Sequence, residues 1–144
     1  MQPRAPAVPV DDLRRAAATV GRETGARLIV LFGSAARPPD RGPRAPEDLD
    51  VGVLNDLAPD QVALTNRFIR ALGLQSVDVT DLRRADPLLL ILAARDGVPL
   101  YEHEPGEFAR FASLAARRYA DTRKFRVSER DEVRDFVTRS ATRR

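Results

Sequence analysis

A chain of 144 residues, 43% of them hydrophobic, has the size of one globular domain and is too short for two full domains. The absence of cysteine excludes disulfide bonds and thiolate metal sites, and a reducing, cytoplasmic location is expected. The net charge of +3, from 24 basic and 21 acidic residues, gives no reason to expect nucleic-acid binding.

The amino-terminal part of the chain predicts an arm, a helix and a buried strand. Residues 1–10 contain three prolines and no periodicity, which favours a flexible arm. An apolar stripe at helical spacing follows, with Asp11 as the expected cap and Gly21 and Gly25 as the expected end; its members are Leu13, Ala16, Ala17 and Val20. The apolar run Leu28 to Phe32 is typical of a strand covered on both faces.

Two further strands carry acids on one face and apolar residues on the other. After an irregular proline-rich loop, Pro38 to Pro46, the segment Asp48 to Leu54 alternates. One face has Leu49, Val51 and Val53; the other has Asp48, Asp50 and Gly52. Ser76 to Thr80 repeats the pattern, with Asp78 opposite two valines.

The remaining periodic segments predict three helices and an edge strand. Pro59 to Leu72 is expected to bury a stripe formed by Val62, Thr65, Phe68, Ile69 and Leu72. Asp86-Pro87 opens a helix, Leu88 to Ala94, that is apolar on all sides and is expected to be buried, ending at Gly97. This run is far shorter than the roughly 20 residues that cross a bilayer. Val98 to Tyr101 contains Pro99, which favours an edge strand, and a last helix begins near Glu107.

Together these elements predict an α+β fold, with helices packed on a small mixed sheet of about four strands. The expected division is an arm at 1–10, a domain at 11–120 and a charged helical extension at 121–144.

The acids suit a site for hard cations. Two carboxylates one residue apart on a strand point to the same side, and both can reach a pair of ions about 3.5 to 4 Å apart. Asp48 and Asp50 form such a pair, and Asp78 can supply a third acid. Carboxylate and phosphate oxygens are the ligands that Mg²⁺ prefers. Asp78 taken alone is also compatible with a solvated strand end or a cap, which is the usual role of a lone aspartate at the start of a strand.

Gly33-Ser34 directly follows the buried strand, where backbone amides and the Ser34 hydroxyl would face a phosphate group. The same dipeptide also occurs in ordinary turns, and Arg37 can be either a phosphate contact or an exposed loop residue.

In this order, the runs Leu31-Phe32-Gly33-Ser34-Ala35-Ala36-Arg37, Asp48-Leu49-Asp50-Val51-Gly52-Val53 and Val77-Asp78-Val79 resemble the minimal nucleotidyltransferases of the DNA polymerase β superfamily. The resemblance covers about Leu28 to Tyr101. It implies the polymerase β-like fold, ATP as substrate, and two Mg²⁺ ions held by Asp48, Asp50 and Asp78, which are then the catalytic residues. It also implies that Gly33, Ser34 and Arg37 bind the triphosphate. Pro38 and Glu47 depart from the common pattern, as does the longer loop.

The chain is too short for the acceptor-binding domain of larger relatives, so the acceptor is expected on a partner. Free-standing units of this kind resemble antitoxins that add AMP to a tyrosine of a HEPN-type toxin. Two alternatives stay open: an antitoxin that neutralises by binding alone, and nucleotidyl transfer to a small molecule or an RNA. His103, between Glu102 and Glu104, is interpreted as part of a solvated turn. The basic residues Arg117, Arg118, Arg123, Lys124 and Arg126 favour a solvated helix face over a nucleic-acid or partner contact.

Overall fold

A computed structural model of the chain describes residues 8–36, 49–74 and 76–123, without the side chains of Ser34 and Ala35. Its helices are α1 Val10–Thr24, α2 Gln61–Leu72, α3 Pro87–Asp96 and α4 Glu107–Asp121. Its strands are β1 Leu28–Phe32, β2 Leu49–Leu54, β3 Val77–Asp81 and β4 Val98–Glu102, and a short 3-10 turn, Gly33–Ala36, follows β1. Most of the predicted arm, all of the proline-rich loop and most of the 121–144 extension lie outside the described residues.

The four strands form one mixed sheet in the order β3-β2-β1-β4. β1 pairs antiparallel with both β2 and β4, whereas β2 and β3 are parallel and are joined through α2. Pro99, which cannot donate a backbone hydrogen bond, lies in an edge strand as predicted. The predicted α+β fold with a four-stranded mixed sheet is confirmed.

The sheet separates two apolar cores, and β1 contributes to both because its side chains alternate between the faces. Ile29 and Leu31 pack with α1 and α2 around Phe68. Leu28 and Val30 pack with α3 and α4 around Phe111. The alternation predicted for β2 is also observed: Leu49, Val51 and Val53 are buried in the first core.

The ends of α1 differ from the prediction. Asp11 lies in the first turn and does not cap the helix, because Pro9 is the cap residue and no side chain caps this end. Gly21 lies inside the helix, and the chain leaves it at Gly25, which has a φ of 72°. Gly21 is needed for packing, because a β-carbon there would lie 2.4 Å from the Tyr101 ring.

The buried faces of α2 and α3 were also partly mispredicted. In α2 the buried residues are Leu64 and Phe68, and Val62 is 71% exposed because it lies about 200° around the helix from Leu64. In α3 only Leu90 and Ala93 are buried, whereas Leu88 and Leu92 are exposed. α3 covers the sheet on one side only, so its outer face stays in contact with solvent.

None of the described helices combines the length and apolar character needed to span a membrane.

Candidate active site at one end of the sheet

Two of the three predicted acids lie side by side where β2 and β3 begin. Asp50 and Asp78 are register partners in the parallel β2–β3 pair. Paired residues on neighbouring strands lie about 4.8 Å apart and project to the same face of the sheet. Asp50 is half-buried and Asp78 is exposed, so this pair, called here the carboxylate pair, is reachable from solvent.

The Gly-Ser turn predicted to face a phosphate lies against the same carboxylates. Phe32, the last residue of β1, is the register partner of Asp50, so the chain turns away at Gly33 directly beside this acid. Gly33 has a φ of 72°, and a β-carbon on it would lie 2.4 Å from Asp50 Oδ2. Position 33 therefore requires glycine for two reasons: the backbone has a left-handed conformation, and the Asp50 carboxylate occupies the space that a side chain would fill.

One step further along the strands the surface changes from acidic to apolar. Gly52 and Thr80 are the next register partners on this face. A β-carbon on Gly52 would lie 2.7 Å from Leu82 Cδ2, so the buried Leu82 covers the sheet at this point. The carboxylate pair is thus bounded on one side by a closed apolar core and on the other by the Gly33 turn.

The remaining predicted site residues are described in part or not at all. The backbone of Ser34 lies in the 3-10 turn beside Asp50, while Asp48 and Arg37 lie outside the described residues. Within the described ranges no three acidic, histidine or cysteine side chains form a metal-binding group, and the carboxylate pair supplies two acids. Carboxylate oxygens are ligands that suit Mg²⁺, and the backbone amides of a turn can donate hydrogen bonds to phosphate oxygens.

A second polar group, at the opposite end of the sheet, was not identified from the sequence. Arg27, just before β1, donates through Nη2 to Glu107 Oε2 and through Nη1 to Asp56 Oδ1, each at 3.1 Å. Glu107 is only 6% exposed and also pairs with Arg110 at 3.2 Å. The pKa of Arg27 is raised above its ordinary value. The largest cause is the negative charge of Glu107, and the second is the hydrogen bond that Arg27 donates to Glu107. These partners are up to 80 residues apart, so no local pattern could reveal them.

The two charged segments that were interpreted as solvated lie at the surface. His103 is exposed in the bend after β4, and its backbone amide donates to the Arg27 carbonyl at 2.8 Å. Arg117, Arg118 and Arg123 are exposed on α4 or directly after it. Lys124 and Arg126 lie outside the described residues.

No protein-family model and no curated protein matches the chain in sequence. Solved structures do match it. A toxin–antitoxin complex with AMP-PNP contains a chain that is 25% identical, with a TM-score of 0.69, over 83% of this chain and 97% of that one. The toxin–antitoxin complex MntA–HepT matches at 24% identity and a TM-score of 0.65, over 84% and 96% of the two chains.

A third match is the complex of a tri-AMPylated HEPN toxin with an MNT antitoxin from Shewanella oneidensis. It is 23% identical, with a TM-score of 0.68, over 87% of this chain and 98% of that one. The chain is therefore similar along nearly its whole described length to the minimal nucleotidyltransferase antitoxins, and the fold that the sequence resemblance implied is confirmed.

Proposed function

We propose that this chain, which has the fold of the minimal nucleotidyltransferase antitoxins, transfers AMP from ATP to a hydroxyl group of a partner protein. The proposed acceptor is a tyrosine of a HEPN-type toxin, which the modification silences. The observation that carries the proposal is the carboxylate pair, Asp50 and Asp78, in register on parallel strands with the Asp50 carboxylate seated on Gly33.

The position of the pair supports phosphoryl-group chemistry over a structural role. Two carboxylates in register on neighbouring strands repel one another, which costs stability unless a cation compensates. Their partly exposed position leaves room for a ligand, and the adjacent turn offers backbone amides that can donate to phosphate oxygens. A structural role would call for a basic side chain beside these acids, and among the described residues Asp78 forms no ion pair.

The donor set fits two Mg²⁺ ions, for which Asp48, Asp50 and Asp78 are the proposed ligands. When bound, the ions lower the pKa of the attacking hydroxyl and neutralise the departing phosphates. Gly33 has no side chain and so leaves room for the Asp50 carboxylate beside its backbone, and Gly33, Ser34 and Arg37 are proposed to hold the triphosphate. Asp78, the more exposed acid of the pair, faces the acceptor and helps to activate its hydroxyl.

The reaction is an in-line displacement. The acceptor oxygen forms a bond to the α-phosphorus, the bond from that phosphorus to the pyrophosphate oxygen breaks, and the hydroxyl proton passes to a carboxylate or to water. The products are an AMP-modified hydroxyl and pyrophosphate. The protein's main contribution is to position charge where it develops in the transition state.

The similar structures support the nature of the substrates and of the partner. One of them holds AMP-PNP, an analogue of ATP, and another pairs an MNT antitoxin with a HEPN toxin that carries three AMP groups. Each is a two-protein complex, which fits a chain that has no acceptor-binding domain of its own within the described residues.

Transfer can be tested with purified chain, labelled ATP, Mg²⁺ and a HEPN toxin encoded beside it. We expect the toxin to gain mass in steps of one AMP and to lose ribonuclease activity. Asp50→Asn should abolish the labelling, whereas Asp11→Asn, an exposed acid on α1, should leave it unchanged. Labelling that persists in Asp50→Asn would contradict the proposed role of the carboxylate pair.

The same assay separates the alternatives that the sequence leaves open. If Asp48→Ala combined with Asp50→Ala still neutralises the toxin, the chain acts by binding alone. If label appears on a small molecule or an RNA and not on the toxin, the chain is a nucleotidyltransferase, but the proposed toxin tyrosine is not its acceptor.

A further inference from the structure

A cleft lies at the end of the sheet that is remote from the carboxylate pair. It is bounded by α4, by Asn55 and Asp56 after β2, and by Arg83 after β3, and it is called here the α4 cleft. Its volume is 340 Å³, at the lower end of the range of about 300 to 1,000 Å³ that is typical of small-molecule sites. Its floor is apolar and is formed by Leu54, Leu82, Leu90, Phe111 and Ala115.

The α4 cleft has a net positive rim. Four arginines line it, Arg27, Arg83, Arg110 and Arg118, against two acids, Asp56 and Glu107, a balance of +2 (four minus two). Both acids are already neutralised: Arg27 contacts both of them, and Arg110 binds the second oxygen of Glu107. The acids therefore offer little repulsion to an incoming anion.

Of the four arginines that line the cleft, Arg118 is the one whose side chain no other described residue engages, so it can bind a ligand. Arg27 and Arg110 are held by acids, and Arg83 donates to the Asp56 carbonyl at 3.0 Å. Within the part of the chain that the structure describes, the Arg118 side chain has no hydrogen bond or ion pair. A guanidinium beside an apolar wall is a good partner for a phosphate, which it can bind through two parallel hydrogen bonds.

Asn55 adds a polar group to the apolar wall. Its side-chain oxygen is buried and accepts no hydrogen bond from any described residue. A buried oxygen that accepts no hydrogen bond destabilises the folded chain, so a donor that reached it would be favoured. Rotation of this carboxamide within the cleft wall would let a ligand N–H group supply the missing hydrogen bond.

We propose that the α4 cleft binds a nucleoside monophosphate, separately from the site at the carboxylate pair. Its phosphate lies at the arginine rim with Arg118, its base lies on the apolar floor, and an N–H group of the base bonds to Asn55. The two sites are distinct because Leu54 is four residues beyond Asp50, about 13 Å along the strand, and the buried Leu82 closes the sheet surface between them.

The proposal can be tested by isothermal titration of the full chain with AMP in excess EDTA, which excludes binding that needs Mg²⁺. We expect saturable binding that Arg118→Gln weakens about 10-fold or more, the loss that follows from removing a charge-assisted hydrogen bond. Asn55→Ala should weaken it as well. Two control variants should bind AMP like the unchanged chain. They are Asp50→Asn and Arg117→Gln; Arg117 is the exposed residue of α4 that precedes Arg118 and does not line the cleft.

Adenosine and inorganic phosphate test the two halves of the ligand, and each should bind more weakly than AMP. Three results would overturn the proposal: no AMP binding in EDTA, an equal loss in Arg117→Gln and Arg118→Gln, or loss of binding in Asp50→Asn. The last would place the nucleotide at the carboxylate pair. Because the titration contains no Mg²⁺ and no partner, its failure would leave the proposed AMP transfer untouched.

Discussion

At the scale of single residues, two glycines with the same backbone geometry stand in different surroundings. Gly25 and Gly33 both have a φ of 72°. A β-carbon on Gly25 would meet no atom within 4 Å, whereas one on Gly33 would lie 2.4 Å from Asp50 Oδ2. A comparison of alanine substitutions at these two glycines therefore separates the cost of an unusual backbone conformation from the cost of displacing a carboxylate.

Gly33→Ala should therefore destabilise the fold at least as much as Gly25→Ala, and it alone should lower the activity. Each puts an L-residue into the left-handed region, at a cost of about 1 to 2 kcal/mol. Only Gly33→Ala also moves Asp50, so we expect it to lower the rate of AMP transfer by at least about 100-fold, the scale of losing a preorganised electrostatic group. Urea denaturation and labelling with ATP measure the two quantities, and equal activity in both variants would contradict the contact's importance.

The carboxylate pair also predicts how the chain responds to metal. A ligand that binds only the folded state stabilises it by about 2.7 kcal/mol at 100 times its Kd. We expect Mg²⁺ to raise the Tm of the chain and EDTA to reverse the effect. Asp50→Asn should remove most of this response. Asp11→Asn serves as the control, and a Tm insensitive to Mg²⁺ in the unchanged chain would argue against a metal site.

At the scale of elements, the periodicity of the sequence predicts the strands better than the helix faces. The period of two in β2 and β3 places Asp50 and Asp78 correctly on one face, because a strand has two faces and the valines must point into the core. The predicted buried face of α2 wrongly includes Val62. Apolar residues occur on several sides of this helix, and only its packing against α1 decides which of them are buried.

Contacts between distant segments could not be predicted at all. The contact between the Asp50 carboxylate and Gly33 depends on the antiparallel register of β1 and β2. The pairing of Arg27 with Glu107 depends on where α4 packs against the sheet. One sequence carries no signal for such long-range geometry. The predicted roles of Asp48, Ser34 and Arg37 stay predictions.

Arg27 ties α4 to the sheet through Glu107 and also pairs with Asp56 after β2, and the two acids differ greatly in burial. The side chain of Glu107 is 7% exposed and that of Asp56 is 77% exposed. Glu107→Gln should destabilise the fold by about 1 to 3 kcal/mol, because it weakens charge-assisted hydrogen bonds away from water. Asp56→Asn should cost no more than about 1 kcal/mol, the upper value for an exposed pair. Urea denaturation of the two variants measures both, and a larger loss for Asp56→Asn would contradict this assignment.

The arginine of this group gives no pH dependence near neutrality. Its raised pKa means that the stabilisation is fully present at every pH below the pKa of an ordinary arginine. It is lost only as the pH rises through the still higher folded-state value.

At the scale of the whole molecule, the two cores share the strands that separate them. β1 places Ile29 and Leu31 in one core and Leu28 and Val30 in the other, so loss of either core removes support from the same strand. A single sheet with a core on each face should therefore unfold as one unit.

Truncation in either core should reveal this coupling. Phe68→Ala in the α1–α2 core and Leu90→Ala in the α3–α4 core should each cost about 2 to 5 kcal/mol. Far-ultraviolet circular dichroism and tyrosine fluorescence should report the same midpoint in each variant. Two separate transitions would show that the faces of the sheet unfold independently.

The seat of Asp50 on Gly33 has a consequence for the history of such chains. A side chain at position 33 and a carboxylate at position 50 exclude one another in space, so the two positions form one heritable unit. A descendant that keeps the acid must keep the glycine. One that loses the acid is released from the steric part of that constraint, so a side chain at position 33 would mark a lineage that has lost the Asp50 carboxylate while retaining the fold.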